Sequence, residues 1–502
     1  MPPDDRIGYA IVGLGRLSLN QILPALAQCK YSKVSALVSS DRTKALRVAR
    51  QYGVPEADIH DYQSFERLAD NPRVQAVYIV LPNGMHKEFT LRAAKIGKHV
   101  LCEKPMANSV ADCQAMVDAM KRADRKLMIA YRSQYEPMDR MIAKMVKDSQ
   151  LGPLREFIAG NSQNVGDPAQ WRLNKALAGG GALPDIGLYC LNAARFLSGE
   201  EPQEVIAIVY RPESDPRFVE VEASVHFILR FPSGLTATCV SSYASHESRF
   251  FRLQGAQGWA EMDPAFGYNG LRLRHGTLRD GKSAITEVQI DPQNQFAREI
   301  DHMSVCVKDD IVPHTPGEEG LQDQRIIEAI YESARTGRAI RLAAPAVPTR
   351  GFDPQMECSE KFCDSREHPI WTIGQFLGRH GHCVDISAKK RLYPLPVGIA
   401  SEGDDSCALP ATADGSGSTA TLKRPCSASL SSHKPDSCQA RDVNRRASSV
   451  RLAWGRPAPG RQRQFNAGRS VHVTGRGSPR VERVPARCRF CAKGSRVHSA
   501  RL

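Results

Sequence analysis

The stretch Tyr9-Ala-Ile-Val-Gly13-Leu14-Gly15-Arg16 decides the fold class of this chain. Its first four residues are apolar and predict a buried strand, and Gly13 and Gly15 predict a tight turn after it. The segment Leu19–Cys29 that follows has a helical pattern. A strand, a glycine turn and a helix in this order form the phosphate-binding unit of dinucleotide-binding sheets. Ser18 stands where the motif has its third glycine, so the motif is incomplete at that position.

Short apolar runs alternate with amphipathic segments as far as residue 130. This alternation predicts a doubly wound parallel sheet with right-handed crossovers. We therefore expect an α/β Rossmann domain over residues 1–130. The expected strands are Tyr9–Val12, Val34–Val38, Val74–Leu81, His99–Cys102 and Leu127–Ala130, and the expected helices between them are Thr43–Tyr52, Lys87–Ile96 and Ala111–Ala123.

From about Leu154 the pattern changes to β-rich runs that are separated by short turns. Successive strands joined in this way predict a large, mostly antiparallel open sheet. We expect an α+β domain over residues 131–342 for substrate binding and oligomerisation. Its expected strands are Glu204–Tyr210, Glu220–Phe231, Leu235–Tyr243, Phe250–Gln254 and Trp259–Met262, and its expected helices are Met138–Lys147, Leu183–Leu197, Asn294–Val307 and Glu318–Thr336, the last one ending at Gly337.

The basic character of the chain belongs to its C-terminal part. The formal net charge is +14, but residues 345–502 hold 26 Lys and Arg against 13 Asp and Glu, which leaves 42 against 41 for the rest. A nearly neutral core does not favour nucleic acid as its partner. Residues 343–502 have no sustained periodicity and are rich in Ser, Gly, Pro and Arg, which predicts a disordered, low-complexity tail.

Cysteines and histidines in the tail raise two alternatives, a zinc site and a basic arm that binds nucleic acid. The pair Cys488/Cys491 lacks a second pair at zinc spacing, and the group Cys358, Cys363, His380, His382 and Cys383 is irregularly spaced. A lone pair of this kind is a weak zinc motif. We expect no metal. Single cysteines scattered through the rest of the chain are typical of buried, reduced packing residues.

The chain shows no segment that predicts membrane insertion. No apolar run approaches the roughly 20 residues that a spanning helix needs. The N-terminus, Met1-Pro-Pro-Asp-Asp-Arg6, lacks a basic segment followed by an apolar one, which is the pattern of an export signal. We expect a cytoplasmic protein, and a periplasmic one only if an N-terminal export segment is missing from the sequence.

Residues after the second expected strand favour NADP over NAD. NAD-binding sheets usually carry an acidic residue at the tip of this strand, where it binds the ribose 2′-hydroxyl. Here Ser39 takes that place, and Arg16 and Lys44 are nearby in sequence. A neutral hydroxyl among cations suits a 2′-phosphate. Asp41 has an alternative role, which is to cap the next helix.

Two further segments predict chemistry on a hydroxyl-bearing carbon. Glu103-Lys104-Pro105 follows a buried strand at the edge where parallel sheets bind nucleotides. Asp185 and Tyr189 are four residues apart and therefore lie on one helix face. Lys104 would hold a substrate hydroxyl and stabilise negative charge on a neighbouring phenol, Tyr189 would move the hydroxyl proton, and hydride would pass to the nicotinamide. A surface ion pair and a half-buried helical tyrosine are the plain structural alternatives.

Other residues are candidates for contact with the cofactor or the substrate. Pro82 and His86 follow the strand Val74–Leu81 at the same sheet edge, although a loop histidine can also be merely exposed. Trp171 and Arg172 offer an aromatic plane and a fork of donors, and Arg132 follows the last expected Rossmann strand.

Eight stretches within residues 8–342 carry a resemblance to a known family. They are Tyr9-Ala-Ile-Val-Gly-Leu-Gly15, Asn20-Gln-Ile-Leu-Pro24, Cys102-Glu-Lys-Pro-Met106, Trp171-Arg-Leu173, Ala178-Gly-Gly-Gly181, Asp185-Ile-Gly187, Phe218-Val-Glu-Val-Glu222 and Pro316-Gly-Glu-Glu-Gly320. Through them the chain resembles the glucose–fructose oxidoreductase branch of the Gfo/Idh/MocA oxidoreductases. A tyrosine at position 189, where many members of the superfamily have histidine, points to the same branch.

The resemblance implies a catalytic pair, Lys104 and Tyr189, with Asp185 beside it. It implies a two-step reaction in which glucose is oxidised to gluconolactone and the retained NADPH then reduces fructose to sorbitol. The implied contacts of the adenosine 2′-phosphate are Ser39, Lys44 and Tyr62, with Arg16 close by, and the implied lining of the NADP or sugar site is Glu103, His86, Arg132, Trp171, Arg172 and Tyr268.

Two other functions stay open beside this one. The first is an ordinary NADP-dependent aldose dehydrogenase, or ketose or anhydroketose reductase, that exchanges its cofactor at each turnover. The second is a non-catalytic NADP-sensing regulator, against which the presence of both Lys104 and Tyr189 counts. In each case we expect a homo-oligomer, a dimer or a tetramer, that forms through the C-terminal sheet.

Overall fold

The structure, a computed structural model, describes residues 5–279 and 281–353. Its first sheet has six parallel strands in the order β3-β2-β1-β4-β5-β6, which confirms the predicted Rossmann domain. The short edge strand β3 is the one that the sequence pattern does not predict. The strands are β1 Ile7–Val12, β2 Ser32–Val38, β3 Ile59–His60, β4 Ala76–Ile79, β5 His99–Glu103 and β6 Leu127–Ala130, and the helices are α1 Leu23–Leu26, which continues a π-helical turn at Ser18–Ile22, α2 Arg42–Tyr52, α3 His86–Lys95, α4 Val110–Arg122 and α5 Pro137–Lys147.

The second sheet has nine strands in the order β14-β13-β12-β11-β7-β10-β9-β8-β15. Only β7 and β10 pair in parallel, so the predicted open, mostly antiparallel sheet is confirmed. The strands are β7 Leu154–Asn164, β8 Glu204–Tyr210, β9 Ser224–Arg230, β10 Thr236–Ser242, β11 Ala244–Gly255, β12 Gly258–Met262, β13 Leu273–Arg279, β14 Lys282–Val288 and β15 Ile340–Arg341, and the helices are α6 Lys175–Ala178, α7 Leu188–Ser198, α8 Gln295–Lys308 and α9 Gly317–Thr336.

A π-helical turn at Leu183–Gly187 leads into α7, and together they form the predicted helix that covers one face of this sheet. Apolar residues of α7 pack against buried residues of β7 and β10. The Asn161 side chain donates to the carbonyl of Ile186 over 3.0 Å. The sheet therefore fixes the helix that carries Asp185 and Tyr189.

Helix α8 departs from the predicted domain map. It follows the second sheet in sequence, yet it packs on the first one, where Phe296 and Ile300 join the buried cluster of Tyr9. The Tyr9 hydroxyl lies 3.0 Å from the Ser304 hydroxyl. The chain thus returns to the Rossmann domain before it forms α9.

The predicted boundary at residue 342 is too early. Thr349 is buried, and the Arg350 guanidinium lies 3.1 Å from the buried carboxylate of Glu319. The Phe352 backbone N–H donates to Val312 over 3.0 Å, and its ring stacks on His302. Residues 343–353 are therefore part of the folded unit.

The remainder of the predicted tail, with the weak zinc candidates and the expectation of disorder, lies outside the described residues. Within the described part of the chain, the six cysteines are free and buried, as predicted. The same part contains no group of His, Cys, Asp and Glu that could hold a metal ion. None of its helices combines the length and the apolar character that crossing a membrane requires.

Candidate active site

The glycine turn after β1 leaves open space at the start of the next helix. Gly13 has a φ of +99°, and a Cβ there would lie 2.4 Å from the carbonyl oxygen of Val80, so only glycine fits. A Cβ on Gly15 would meet nothing within 4 Å. The Ser18 hydroxyl donates to the Gly13 carbonyl over 2.5 Å, so the residue that replaces the third glycine closes the turn. This opening at a helix N-terminus fits a pyrophosphate.

The structure places Ser39 directly after β2, at the position where NAD-binding sheets usually carry an acidic residue. Ser39 is buried, and its hydroxyl accepts from the backbone N–H of Asp41 over 3.2 Å. Asp41 caps α2 by accepting from the Lys44 backbone N–H over 2.8 Å, so the alternative role for this acid is the one observed. Lys44 and Arg16 both reach solvent. Tyr62, predicted beside them, is half-buried with its ring edge-on to Phe89.

The loop after β4 leads into His86, one of the predicted contacts of the cofactor or the substrate. His86 is fully buried, and its two ring nitrogens each lie 2.9 Å from a backbone carbonyl, of Leu81 and of Pro105. His86 therefore joins this loop to the Lys104 loop with both ring nitrogens, and its contact with a cofactor stays a prediction. Pro82 is partly exposed at the same loop, and the neighbouring Asn83 donates to Ala178 over 2.8 Å.

Lys104 and Asp185 form a partly buried ion pair between the two domains. The Lys104 ammonium donates to the Asp185 carboxylate over 3.0 Å and to its backbone carbonyl over 2.8 Å. Burial works to lower the pKa of Lys104, but Asp185, Tyr189 and Glu103 together raise it above its ordinary value. Burial works to raise the pKa of Asp185, but Lys104 and Arg172 hold it well below its usual range. Lys104 is therefore a fixed cation.

Tyr189 lies between two cations. The Lys104 ammonium is 4.8 Å from the centre of the Tyr189 ring, and the Arg132 guanidinium is also 4.8 Å from it. Both distances are within the range of cation–π attraction. A half-buried phenol held against an ammonium can exchange a proton with a bound hydroxyl while the cation stabilises the negative charge.

Arg132 is itself buried, and it fixes the loop at one side of the site. Its guanidinium donates to the carbonyls of Phe266 and Gly267 and to the Gln295 side chain, over 2.6–3.1 Å. It also lies 4.6 Å from the ring of Tyr268, which is 44% exposed. Arg132 therefore contributes to the site by holding Tyr268 and its loop in place.

Trp171 and Arg172 are joined to the same cluster. Arg172 donates to the second carboxylate oxygen of Asp185 over 3.0 Å and stacks on Trp171 at 4.6 Å. The Asp185 carboxylate thus links Arg172, and through it Trp171, to Lys104. Lys104 and Arg172 come from separate segments of the chain, and the fold places both of them on the Asp185 carboxylate.

Glu103 lies behind the ion pair. Its carboxylate accepts from the Tyr78 hydroxyl over 2.9 Å and is 7% exposed, which excludes a surface ion pair. Burial raises the pKa of Glu103. On α8, burial and the nearby Glu103 raise the pKa of the buried Glu299 well above its usual value. Glu103 is therefore a buried neighbour of Lys104 that is held by Tyr78. Its contact with a ligand stays a prediction.

Sequence reasoning missed Tyr243. Its hydroxyl donates to the Asp185 carboxylate over 2.6 Å and so completes the shell of donors around that acid. Burial and the nearby Asp185 raise the pKa of Tyr243 well above the usual value for a phenol, so it stays a donor. Its place at the end of β10 was predictable, but no spacing pointed from there to Asp185.

Several known proteins are similar to this chain over about two thirds of its length. A D-xylose 1-dehydrogenase [NADP(+)] of Haloarcula marismortui is 33% identical over 348 residues, which are 68% of this chain and 94% of that protein. A D-xylose 1-dehydrogenase (NADP(+)) 2 of Haloferax volcanii is 32% identical over 66% of this chain and 99% of its own. The crystal structure of aldose-aldose oxidoreductase from Caulobacter crescentus, complexed with glycerol, is 49% identical, with a TM-score of 0.65 over 67% of this chain and all of that one.

Two family models match the two domains. The model described as "Oxidoreductase family, NAD-binding Rossmann fold" matches residues 7–131, and the "GFO/IDH/MocA C-terminal domain" matches residues 140–261. The matched segments include the glycine turn, Lys104, Asp185 and Tyr189. With relatives that are aligned over nearly their full length, the chain belongs to the Gfo/Idh/MocA family of oxidoreductases.

Proposed function

We propose that this protein is an NADP-dependent sugar oxidoreductase that oxidises an aldose to its lactone and reduces a second sugar with the same bound cofactor, in the manner of glucose–fructose oxidoreductase. The observation that carries the proposal is the cluster of Lys104, Asp185 and Tyr189, in which the partly buried ion pair of Lys104 and Asp185 lies beside the Tyr189 ring. The named activities of the relatives, on xylose and on aldoses, support an aldose as the substrate.

The residues fit the cofactor at both ends. The Gly13–Gly15 turn would hold the pyrophosphate, and Ser39, Lys44 and Arg16 would receive the 2′-phosphate. NADP supplies the hydride acceptor when it is bound. Trp171 and Tyr268 offer exposed aromatic surface on which a nicotinamide or a sugar ring could rest.

The chain supplies the proton chemistry. Tyr189 would take the proton from the reacting hydroxyl, and Lys104 would hold that hydroxyl and the charge that develops on the phenol. Asp185 keeps Lys104 protonated and oriented, since it binds the ammonium while Arg172 and Tyr243 bind its other oxygen. In the reduction of the second sugar the same groups would act in reverse.

Turnover without added cofactor tests the proposal. Purified protein with glucose and fructose, and no added NADP, is expected to yield gluconolactone and sorbitol in equal amounts. Turnover of glucose only when NADP is added would contradict cofactor retention and favour the ordinary aldose dehydrogenase. No turnover of any aldose with NADP would contradict the enzyme and favour the non-catalytic sensor.

Cofactor preference is expected to change in Ser39→Asp. The new carboxylate would repel the 2′-phosphate and accept from a ribose 2′-hydroxyl, so the ratio of the two dissociation constants should move toward NAD by about tenfold or more. Titration of both cofactors measures this, with Ser40→Asp, an exposed neighbour, as the control. Unchanged preference in Ser39→Asp would remove Ser39 from the 2′-phosphate site.

A homo-oligomer through the second sheet stays a prediction. The face of this sheet that α7 does not cover carries a row of exposed isoleucines, with Ile206 opposite Ile228 and Ile158 two strands further on. Apolar rows of this kind are typical of protein interfaces. A monomer in light scattering would contradict the predicted homo-oligomer.

The cytoplasmic location also stays a prediction, which cell fractionation would test.

A further inference from the structure

The helical segment that carries Asp185 and Tyr189 is capped by a residue from another part of the chain. The backbone N–H groups of Gly181 and Leu183 donate to the two carboxylate oxygens of Glu222, over 2.8 and 2.9 Å. Ala182, at the cap position itself, offers no side-chain hydrogen bond. Glu222 thus bonds the Leu183 N–H, which is one of those that a helix start leaves without a helical partner, and the Gly181 N–H just before the helix.

Glu222 is held in turn by α9. The Tyr331 hydroxyl donates to its carboxylate over 2.9 Å, and Glu222 is 5% exposed. The carboxylate therefore joins the catalytic helix to a long helix that packs on both domains. Each of its oxygens has a donor, and the rotation of the side chain is restricted.

The run of glycines before the helix is explained by this contact. A Cβ on Gly181 would lie 2.1 Å from the Glu222 carbonyl oxygen, and a Cβ on Gly180 would lie 2.0 Å from the Tyr331 hydroxyl. Side chains at these positions would therefore push Glu222 and Tyr331 away. These two glycines therefore permit close packing of the chain against Glu222 and Tyr331.

Ala223, the residue after Glu222, acts on the Asp185 carboxylate through Tyr243. The Tyr243 backbone N–H donates to the carbonyl of Ala223 over 2.7 Å. Tyr243 is the residue whose hydroxyl binds Asp185. Two adjacent residues, Glu222 and Ala223, thus fix both the helix that carries Asp185 and the phenol that orients it.

We propose that Glu222 is a positioning residue, which holds Asp185 and Tyr189 in register with Lys104 for the proton step. This role rests on the proposed function. In Glu222→Gln one carboxylate oxygen becomes an amide N–H₂ group, which cannot accept from the backbone N–H that faces it. The start of the helix should shift or loosen, and small misplacements of catalytic groups are costly in rate.

Kinetics of Glu222→Gln are the first test. We expect kcat for aldose oxidation to fall roughly ten- to hundredfold, with the dissociation constant of NADP unchanged, because the glycine turn and Ser39 are not touched. Tyr331→Phe keeps the carboxylate and loses one donor, so its kcat should fall less. The matched control is Glu220→Gln, an exposed glutamate that accepts from the Lys175 backbone N–H over 2.8 Å and should retain normal kcat.

Amide hydrogen exchange is the second test, and it needs no turnover. Peptides that cover residues 179–184 should exchange at least tenfold faster in Glu222→Gln than in the wild type or in Glu220→Gln. If Glu222→Gln does not fold, Tyr331→Phe carries both comparisons. Equal kcat and equal exchange in the variants and the control would overturn the role of Glu222. If the wild type oxidises no aldose, the proposed function fails. Unchanged amide exchange in Glu222→Gln would, independently of this, show that Glu222 does not hold the start of the helix.

Discussion

Replacing Tyr189 by phenylalanine is expected to lower kcat for aldose oxidation by about 10²–10⁴-fold, the usual contribution of a general acid–base group. The ring, its contacts with Lys104 and Arg132 and the fold should persist, because only the hydroxyl is removed. Lys104→Met should lose a similar factor, since it removes the cation that faces both Tyr189 and the substrate hydroxyl. The dissociation constant of NADP should change little in Tyr189→Phe.

Steady-state kinetics with fluorescence titration of NADP check this prediction. Tyr31→Phe is a suitable control, because Tyr31 is an exposed tyrosine that belongs to neither the proposed cofactor residues nor the proposed proton-transfer residues. A kcat within a few-fold of the wild type in Tyr189→Phe would remove the phenol from the mechanism.

Truncation after Leu342 is expected to lower the free energy of unfolding by about 3 kcal/mol. This is the lower end of the range found when one partner of a buried ion pair is removed. Burial works to raise the pKa of Glu319, but Arg195 and Arg350 lower it to about 2. Removing Arg350 leaves this buried carboxylate with one cation fewer. Thr349, which bonds Arg195 and Glu201, is lost as well.

A chain that ends after Asp353 is the matched comparison, because it keeps every contact of residues 343–353. Thermal melting of the two truncated proteins measures the difference, and the shorter one should melt several degrees lower. Equal melting temperatures would show that these contacts add nothing to stability and would restore the boundary at residue 342.

The Rossmann domain could be predicted because its strands are buried on both faces and therefore appear as continuous apolar runs. The long strand β7 was not predicted, although it lies in the middle of the second sheet. Its last four residues, Asn161–Asn164, are polar, and its Gly160 packs against Phe250 from β11. Pairing with β10 and β11, which no local pattern encodes, decides this strand.

The candidate site was predictable where a residue follows a buried strand or lies on a helix face with a partner. Lys104, Asp185 and Tyr189 are of this kind. The burial of the His86 ring could not be predicted, because sequence position gives the loop but not the direction of the ring. Tyr243 and Glu222 were missed because their contacts with the catalytic helix depend on how the second sheet packs.

Oxidation of glucose that carries deuterium at C1 tests the central claim most directly. If the site transfers hydride between a sugar carbon and NADP, the reduced cofactor should carry the deuterium. It should then be heavier than the cofactor reduced by unlabelled glucose, by the difference in mass between deuterium and hydrogen. With fructose present, the label should appear in sorbitol. Mass spectrometry of the cofactor and of the alditol measures both. Unlabelled reduced cofactor, or label that is lost to water, would contradict the account.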